Sequence, residues 1–199
     1  MSKRNRDSRR EELVKSLSGH VLREGLQAAS LRPLAAAAGT SDRMLLYYFD
    51  DKEDLLGAIL ERIALNLRES LDQALSGRRP FEELLAALAE LTAAPEIRPY
   101  MQLWLELAAR SARGEEPFRK VAGGILDGFL DWTASRLDVA EPHRSAQATL
   151  LLCLIDGLEI FDAAGRRDLA PMAARGLSEL GKKKKKVPSD LWFDSFPTG

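Results

Sequence analysis

The chain of 199 residues contains a single cysteine, Cys153, and two histidines. One cysteine excludes an internal disulfide framework and most cysteine-rich metal sites. Its place in the apolar run LLLCLID predicts a small buried hydrophobe. His20 and His143 stand far apart, and neither belongs to a cluster with metal-ligand spacing. No Ser-His-Asp or Cys-His set, Walker-type loop or dinucleotide fingerprint is present, which argues against an enzyme and against a cofactor. No apolar run reaches the ~18 residues of a transmembrane helix. The opening MSKRNRDSRREE lacks the apolar stretch of a signal peptide. The expectation is a cytoplasmic chain with no membrane partner. Glycine (14) and proline (9) are too few for a collagen-like or low-complexity protein.

What is there points to a helical globule. Apolar residues make up 45% and charged residues 30%, enough apolar material for a real core. Ala and Leu dominate while Val, Ile, Thr and Tyr are scarce, which favours helix over sheet. The net charge of −1 hides an asymmetry. Residues 1–52 carry ten Lys/Arg against seven Asp/Glu, residues 53–181 fourteen against twenty-one, and residues 182–199 five against two. A basic front on an acidic body suits a front that meets a polyanion, although a solvated helix face gives the same count.

Periodicity and capping divide the chain into helices throughout, and no strand is expected. Ser8 with Glu11 reads as a capping box, followed by an apolar stripe through Leu13, Val14, Leu17, Val21 and Leu22 and a stop at Gly25. Ser30 caps a short helix that carries Pro33 in its first turn and ends at Gly39. Thr40-Ser41 opens a third helix through Phe49. Asp50-Asp51 caps a fourth, long one with Leu55, Leu56, Ile59, Ile63, Leu67, Leu71 and Leu75 inward, ended by Ser76-Gly77. Further helices are predicted over 81–94, 100–113, from Pro117, from Pro142 to about Ala164, and from Asp168 to Leu180 with a stop at Gly181. The division predicted is 1–52, 53–181, and a Lys-rich flexible tail over 182–199. The tail's KKKKK reads as solvated or in loose polyanion contact.

The segment SLRPLAAAAGTSDRMLLYYFDDK, residues 30–52, carries the chemistry. Two short helices joined by a tight glycine turn form a helix-turn-helix arrangement. Ala35–Ala38 lets them approach closely, Gly39 supplies the turn conformation, and Ser41 caps the second helix. Leu45 and Phe49, one turn apart, anchor its inner face. Arg43 and Tyr47, also one turn apart, point elsewhere, and such a helix suits a DNA major groove. Of Tyr47 and Tyr48, one must face outward, because neighbouring helical positions lie about 100° apart.

On these residues the sequence resembles the TetR (tetracycline repressor-like) family of transcriptional regulators. The family pattern appears as Ser30, Leu34-Ala35, Ala38-Gly39-Thr40-Ser41, Leu45-Leu46-Tyr47-Tyr48-Phe49 and Lys52, followed by Leu55-Leu56. The match covers residues 9–60, and the rest agrees in length and helical make-up. Leu46 stands where the family usually has Tyr, so one polar contact to DNA is absent or supplied by Tyr47. Thr40 for Val is a mild change. The resemblance implies an all-α homodimer: an N-terminal three-helix unit binds DNA, and a C-terminal helical bundle dimerises and holds a small-molecule effector. Ligand binding then changes the spacing of the two heads and releases a palindromic operator in double-stranded DNA.

In that frame Ser41, Arg43, Met44 and Tyr47 are expected in the major groove, with the Arg43 fork on guanine, and Thr40 is expected among the DNA-binding residues. Tyr48, Lys52, Ser30 and Arg32 are expected on phosphates. Asp42 either favours the helix dipole or accepts from a cytosine amino group. Tyr100, Met101, Trp104, Phe118, Phe129 and Trp132 are either plain core or the lining of a pocket for an apolar or amphipathic ligand. Asp156 either orients such a ligand or joins Glu159 in a solvated stripe, the reading favoured here. Glu106 and Arg110 read as a surface pair. The helix over 145–164 is apolar on nearly every side between Leu150 and Ile155. With the helix over 168–180 it is expected to build a four-helix dimer interface through Leu150, Leu154, Gly157 and Phe161. The rival reading is a helical adaptor whose N-terminal hairpin binds a protein.

Overall fold

A computed structural model describes residues 3–182, and the predicted tail lies outside the described residues from position 183 on. All described elements are helical: α1 (Lys3–Glu24), α2 (Leu31–Ala37), α3 (Asp42–Leu46), α4 (Lys52–Ala74), α5 (Phe81–Thr92), α6 (Arg98–Ala112), α7 (Glu116–Arg136), α8 (Glu141–Ala163) and α9 (Ala170–Lys182). Short 3-10 turns at Leu26–Ala29 and Arg167–Leu169 complete the order. The only strand-like pairing among the described residues is an isolated bridge between Arg79 and Leu137. Two compact units result, one up to Ile160 and one from Phe161.

Local chemistry sets most boundaries. Gly25 (φ 79°) ends α1, donating its N–H to the Val21 carbonyl at 2.8 Å. Gly39 (φ 61°) ends α2 in a Schellman turn: its N–H reaches Ala36 O at 3.0 Å, and Thr40 N reaches Ala35 O at 2.9 Å. The Ser41 hydroxyl accepts from Met44 N at 3.3 Å and starts α3. Asp51 accepts from Asp54 N at 2.8 Å and starts α4, while the Asp54 side chain accepts from Asp50 N at 3.1 Å.

Three boundaries depart from the sequence reading. Ser8 lies inside α1, whose described residues start at Lys3, so it is not an N-cap. Helix α3 stops at Leu46, since Tyr48 N and Phe49 N turn back to carbonyls only three residues earlier. Asp168 sits in a 3-10 turn bonded to Arg166 Nε and Nη2 at 3.0 Å each, and α9 starts two residues later and runs past Gly181.

Two apolar clusters organise the first unit. One gathers Leu13, Leu17 and Val21 of α1, Leu34 of α2, Leu45 and Phe49, and the first half of α4, and extends to Leu103 and Leu107 of α6 and Phe118 and Ala122 of α7. The second joins the later half of α4 to α5, α6, α7 and α8. Tyr100 and Trp104 pack against both. A displacement of α6 is therefore felt on the inner face of the α1–α3 head, because close-packed side chains transmit strain.

Candidate nucleic-acid interface and ligand cavity

The head presents α3 outward. Leu45 is fully buried, whereas Ser41, Asp42, Arg43, Met44 (49% exposed) and Tyr47 (51%) face solvent. Tyr48 is half-buried against the head's core, with its ring edge-on to Tyr47 at 5.2 Å between centroids. The outward tyrosine is thus Tyr47. Ser30 occupies the N-cap position of α2 in extended geometry, without a side-chain cap bond, and is exposed, as are Arg32 and Lys52. Thr40 is half-buried. The sequence-predicted residues of this surface lie on α3, at the positions flanking it, and at the starts of α2 and α4, with Thr40 and Tyr48 half-buried.

Lys52 is the first residue of α4. The Asp54 N–H is taken by Asp51, and Arg10 Nη2 meets Asp54 Oδ1 at 2.8 Å. The lysine is left as a point charge above a capped, acidic turn.

Sequence reasoning missed the part α1 plays here. Arg6 lies 5.4 Å over the Tyr47 ring and Arg10 4.9 Å over the Phe49 ring. No acidic residue opens α1; exposed Arg4 and Arg6 do, against the helix dipole's preference. The signal was the run KRNR, visible as charge but with no indication that the helix began there.

Beneath the head, α4, α5, α6, α7 and α8 line a partly open cavity of about 100 Å³. Leu60, Ile63, Leu67 and Leu71 of α4 form one wall; Tyr100, Met101, Trp104, Phe129, Trp132 and Asp156 all line it. Phe118 does not. It packs in the head's cluster under the Arg110 guanidinium, 4.3 Å from its ring centre. Periodicity placed Phe118 inward correctly, but which of two cores it joins depends on how α7 packs on α4 and α6, which the local pattern does not encode.

Two indoles anchor two carboxylates. Trp132 Nε1 donates to Asp72 at 2.7 Å, and Arg136 is ion-paired to the same Asp72. Trp104 Nε1 donates to Asp156 Oδ1 at 3.1 Å. Burial pushes the Asp156 carboxyl above the usual aspartate value, and the Trp104 hydrogen bond offsets part of that rise. Burial likewise raises the Tyr100 hydroxyl. The favoured solvated stripe is therefore overturned: Asp156 lines the cavity, and Glu159 is buried with 8% of its surface accessible.

Glu106 and Arg110 do not pair with each other. Glu106 Oε2 accepts the Leu26 N–H at 2.8 Å, across 80 residues, at the turn that leads into α2. Arg110 binds Glu115 at 2.9 Å. Gly25 leaves room for Glu106, since a Cβ at that position would sit 3.0 Å from its Oε1.

On α8, Leu150 (47% exposed), Leu154 and Gly157 follow one another at helical spacing, and Cys153 is exposed rather than buried as expected. A Cβ at Gly157 would meet nothing within 4 Å. Phe161, in the second unit, is exposed too. No described helix is long and apolar enough to cross a membrane. Among the described residues no cluster of three His, Cys, Asp or Glu suits a metal ion.

The model of the bacterial regulatory proteins of the tetR family matches residues 22–59, the end of α1 through α3 into α4. The HTH-type transcriptional regulator BetI of Serratia proteamaculans is 32% identical over 162 residues, covering 78% of this chain and 81% of that protein. The multidrug binding protein EbrR, in a structure complexed with proflavin, superposes with a TM-score of 0.64 at 23% identity, covering 86% of this chain and 98% of that one. A transcriptional regulator from Saccharomonospora viridis in complex with choline gives a TM-score of 0.58 at 21% identity, over 89% and 97% of the two chains. These two structures share the fold, while the head's motif and the BetI relationship establish more than the fold. The chain belongs to the TetR family of DNA-binding transcriptional regulators.

Proposed function

We propose that the protein is a homodimeric repressor, released from a palindromic operator when a small apolar or amphipathic molecule enters the α4–α8 cavity. The observation that carries this reading is the continuity between cavity and head. Trp104 lines the cavity and packs on the head's core, and two residues further along α6 Glu106 holds the turn that positions α2. A ligand that shifts α6 has a direct mechanical route to the DNA-reading unit. The α1–α3 unit, residues 1–52, serves as the head, and residues 53–181 carry ligand binding and dimerisation.

In this reading Ser41, Arg43, Met44 and Tyr47 enter the major groove with Thr40 and Asp42 at its edge, and Arg43 reads guanine through its fork. Ser30, Arg32, Tyr48 and Lys52 hold phosphates. Leu150, Leu154, Gly157 and Phe161 meet the partner protomer, since exposed apolar groups at helical spacing are costly in a monomer. The choline and proflavin in the two fold neighbours support use of the cavity for a small molecule. At about 100 Å³ it is below the range of drug-sized sites, so a larger effector must wedge the helices apart. That expansion is the step that would move α6.

The test is selection of a preferred DNA sequence from a random pool, followed by competition against bulk DNA across salt concentrations. A two-fold symmetric preferred site that outcompetes bulk DNA is expected. Equal affinity for all sequences overturns the reading.

A further inference from the structure

The two indole–carboxylate pairs differ in one respect. Asp72 has a cation beside it in Arg136, whereas Asp156 has the neutral Trp104 N–H as its hydrogen-bond partner. A half-buried carboxylate is costly without a counter-charge. Among the described residues, Asp156 is also the single acidic side chain lining a cavity otherwise built from aliphatic groups, aromatic rings, a Met and a Thr. Burial penalises its charged form, so the fold loses stability by keeping an acid there.

Three aromatic residues complete the arrangement. Tyr100, Trp104 and Trp132 line the same small space. Aromatic faces carry negative potential and attract an ammonium, most strongly once it is desolvated. Two arginines lie against aromatic rings in this region, Arg68 at 5.9 Å from Phe129 and Arg136 at 5.6 Å from Trp132, but neither lines the cavity. Seen from inside, the described residues present aliphatic groups, aromatic rings, one acid and no base.

We infer that the cavity takes a compact organic cation, its ammonium seated among Trp104, Tyr100 and Trp132 with the Asp156 carboxylate as counter-charge. This rests on the cavity being the effector site. Size agrees: about 100 Å³ is somewhat less than the ~150 Å³ cavity that admits benzene, so it suits a methylated ammonium head group and not a fused ring system without expansion. The ligand would supply what Asp156 lacks, and binding would turn a destabilising carboxylate into a paired one.

The experiment uses the full chain, calorimetric titration and thermal shift, and a matched pair of probes. Choline is one. The other is 3,3-dimethylbutan-1-ol, which has the same shape with carbon in place of the charged nitrogen. Ionic strength is held constant with sodium chloride. Choline is expected to bind and raise the melting temperature, with the alcohol weaker by about tenfold or more. Asp156→Asn keeps an acceptor for Trp104 and removes the charge, so it should lose about tenfold in choline affinity while its affinity for the alcohol stays level. Should that variant fail to fold, the probe pair on the parent protein still decides. Equal binding of the two probes by the parent, or tighter binding of the alcohol, overturns the cation assignment and leaves the cavity as an effector site. Unchanged choline affinity in Asp156→Asn does the same. No binding of either probe overturns the cation assignment together with the cavity's role for ligands of this size.

Discussion

Under the proposed function, charge at single residues serves recognition at some cost in stability. Asp156 is the clearest case, because its carboxyl is raised by burial. A raised acid favours the folded state only while protonated. Its contribution is intact below the ordinary aspartate value of 3.8 and is lost as pH climbs through the raised value. Asp156→Asn should therefore match the parent near pH 4 and exceed it in melting temperature near pH 7. A variant less stable than the parent at neutral pH would show that the carboxylate has a cationic partner after all. On the head, Arg43 and Lys52 carry the same charge in different settings. Arg43 extends from α3, whereas Lys52 sits at the capped start of α4. Arg43→Ala should cost about 1–3 kcal/mol on the preferred site and relax base preference at one position per half-site. Lys52→Ala should weaken all DNA alike and lower the salt slope by about one for each phosphate no longer neutralised. If Arg43→Ala weakened random and preferred DNA equally, Arg43 would be a phosphate contact.

Whole elements were legible in the sequence where their boundaries rest on neighbours. Ser41, Asp51, Gly25 and Gly39 do their work within four residues, so capping chemistry located α3, the start of α4 and the ends of α1 and α2. The head's core was legible for the same reason, since helical periodicity selects Leu13, Leu17, Leu34 and Leu45. What failed depends on distant residues. Glu106 has an Arg four residues on, and local rules pair them; its actual partner is Leu26, 80 residues earlier. Asp156 looked solvated because its neighbours on α8 are acidic and apolar by turns, and only α6, packed alongside, supplies Trp104. The Glu106 contact makes α6 the element that joins the cavity to the head. Glu106→Ala should cost about 1 kcal/mol and raise amide exchange at Leu26. It should also reduce the effect of an effector on DNA affinity while effector binding itself stays near parental. Unchanged exchange at Leu26 would remove the contact from the coupling route.

At the scale of the whole molecule the proposed function requires two-fold symmetry. One head presents a five-residue α3 to one stretch of groove, too little contact to single out a site among bulk DNA. In the proposed homodimer, two heads held by a two-fold axis would read two half-sites at fixed spacing, and specificity would depend on the interface as much as on Arg43. The residues proposed for that interface are ones a lone chain leaves uncovered: Leu150 at 47% exposed, Phe161 at 41%, and Gly157 with open space beside it. That open space makes Gly157 a selective probe. An arginine there meets no atom of its own chain within 4 Å at Cβ, so Gly157→Arg should leave the fold intact; helix propensity even favours it over glycine. Against a partner helix the same side chain brings both bulk and an unpaired charge into an apolar contact, and by symmetry it does so twice. Sedimentation of the parent at micromolar concentration should give a dimer, and Gly157→Arg should shift it toward monomer with helical content unchanged by circular dichroism. Affinity for the palindromic site should fall steeply in the variant, while affinity for a single half-site stays at the parental level. A parent that sediments as a monomer, or a variant that dimerises as tightly as the parent, would move the interface away from this face of α8.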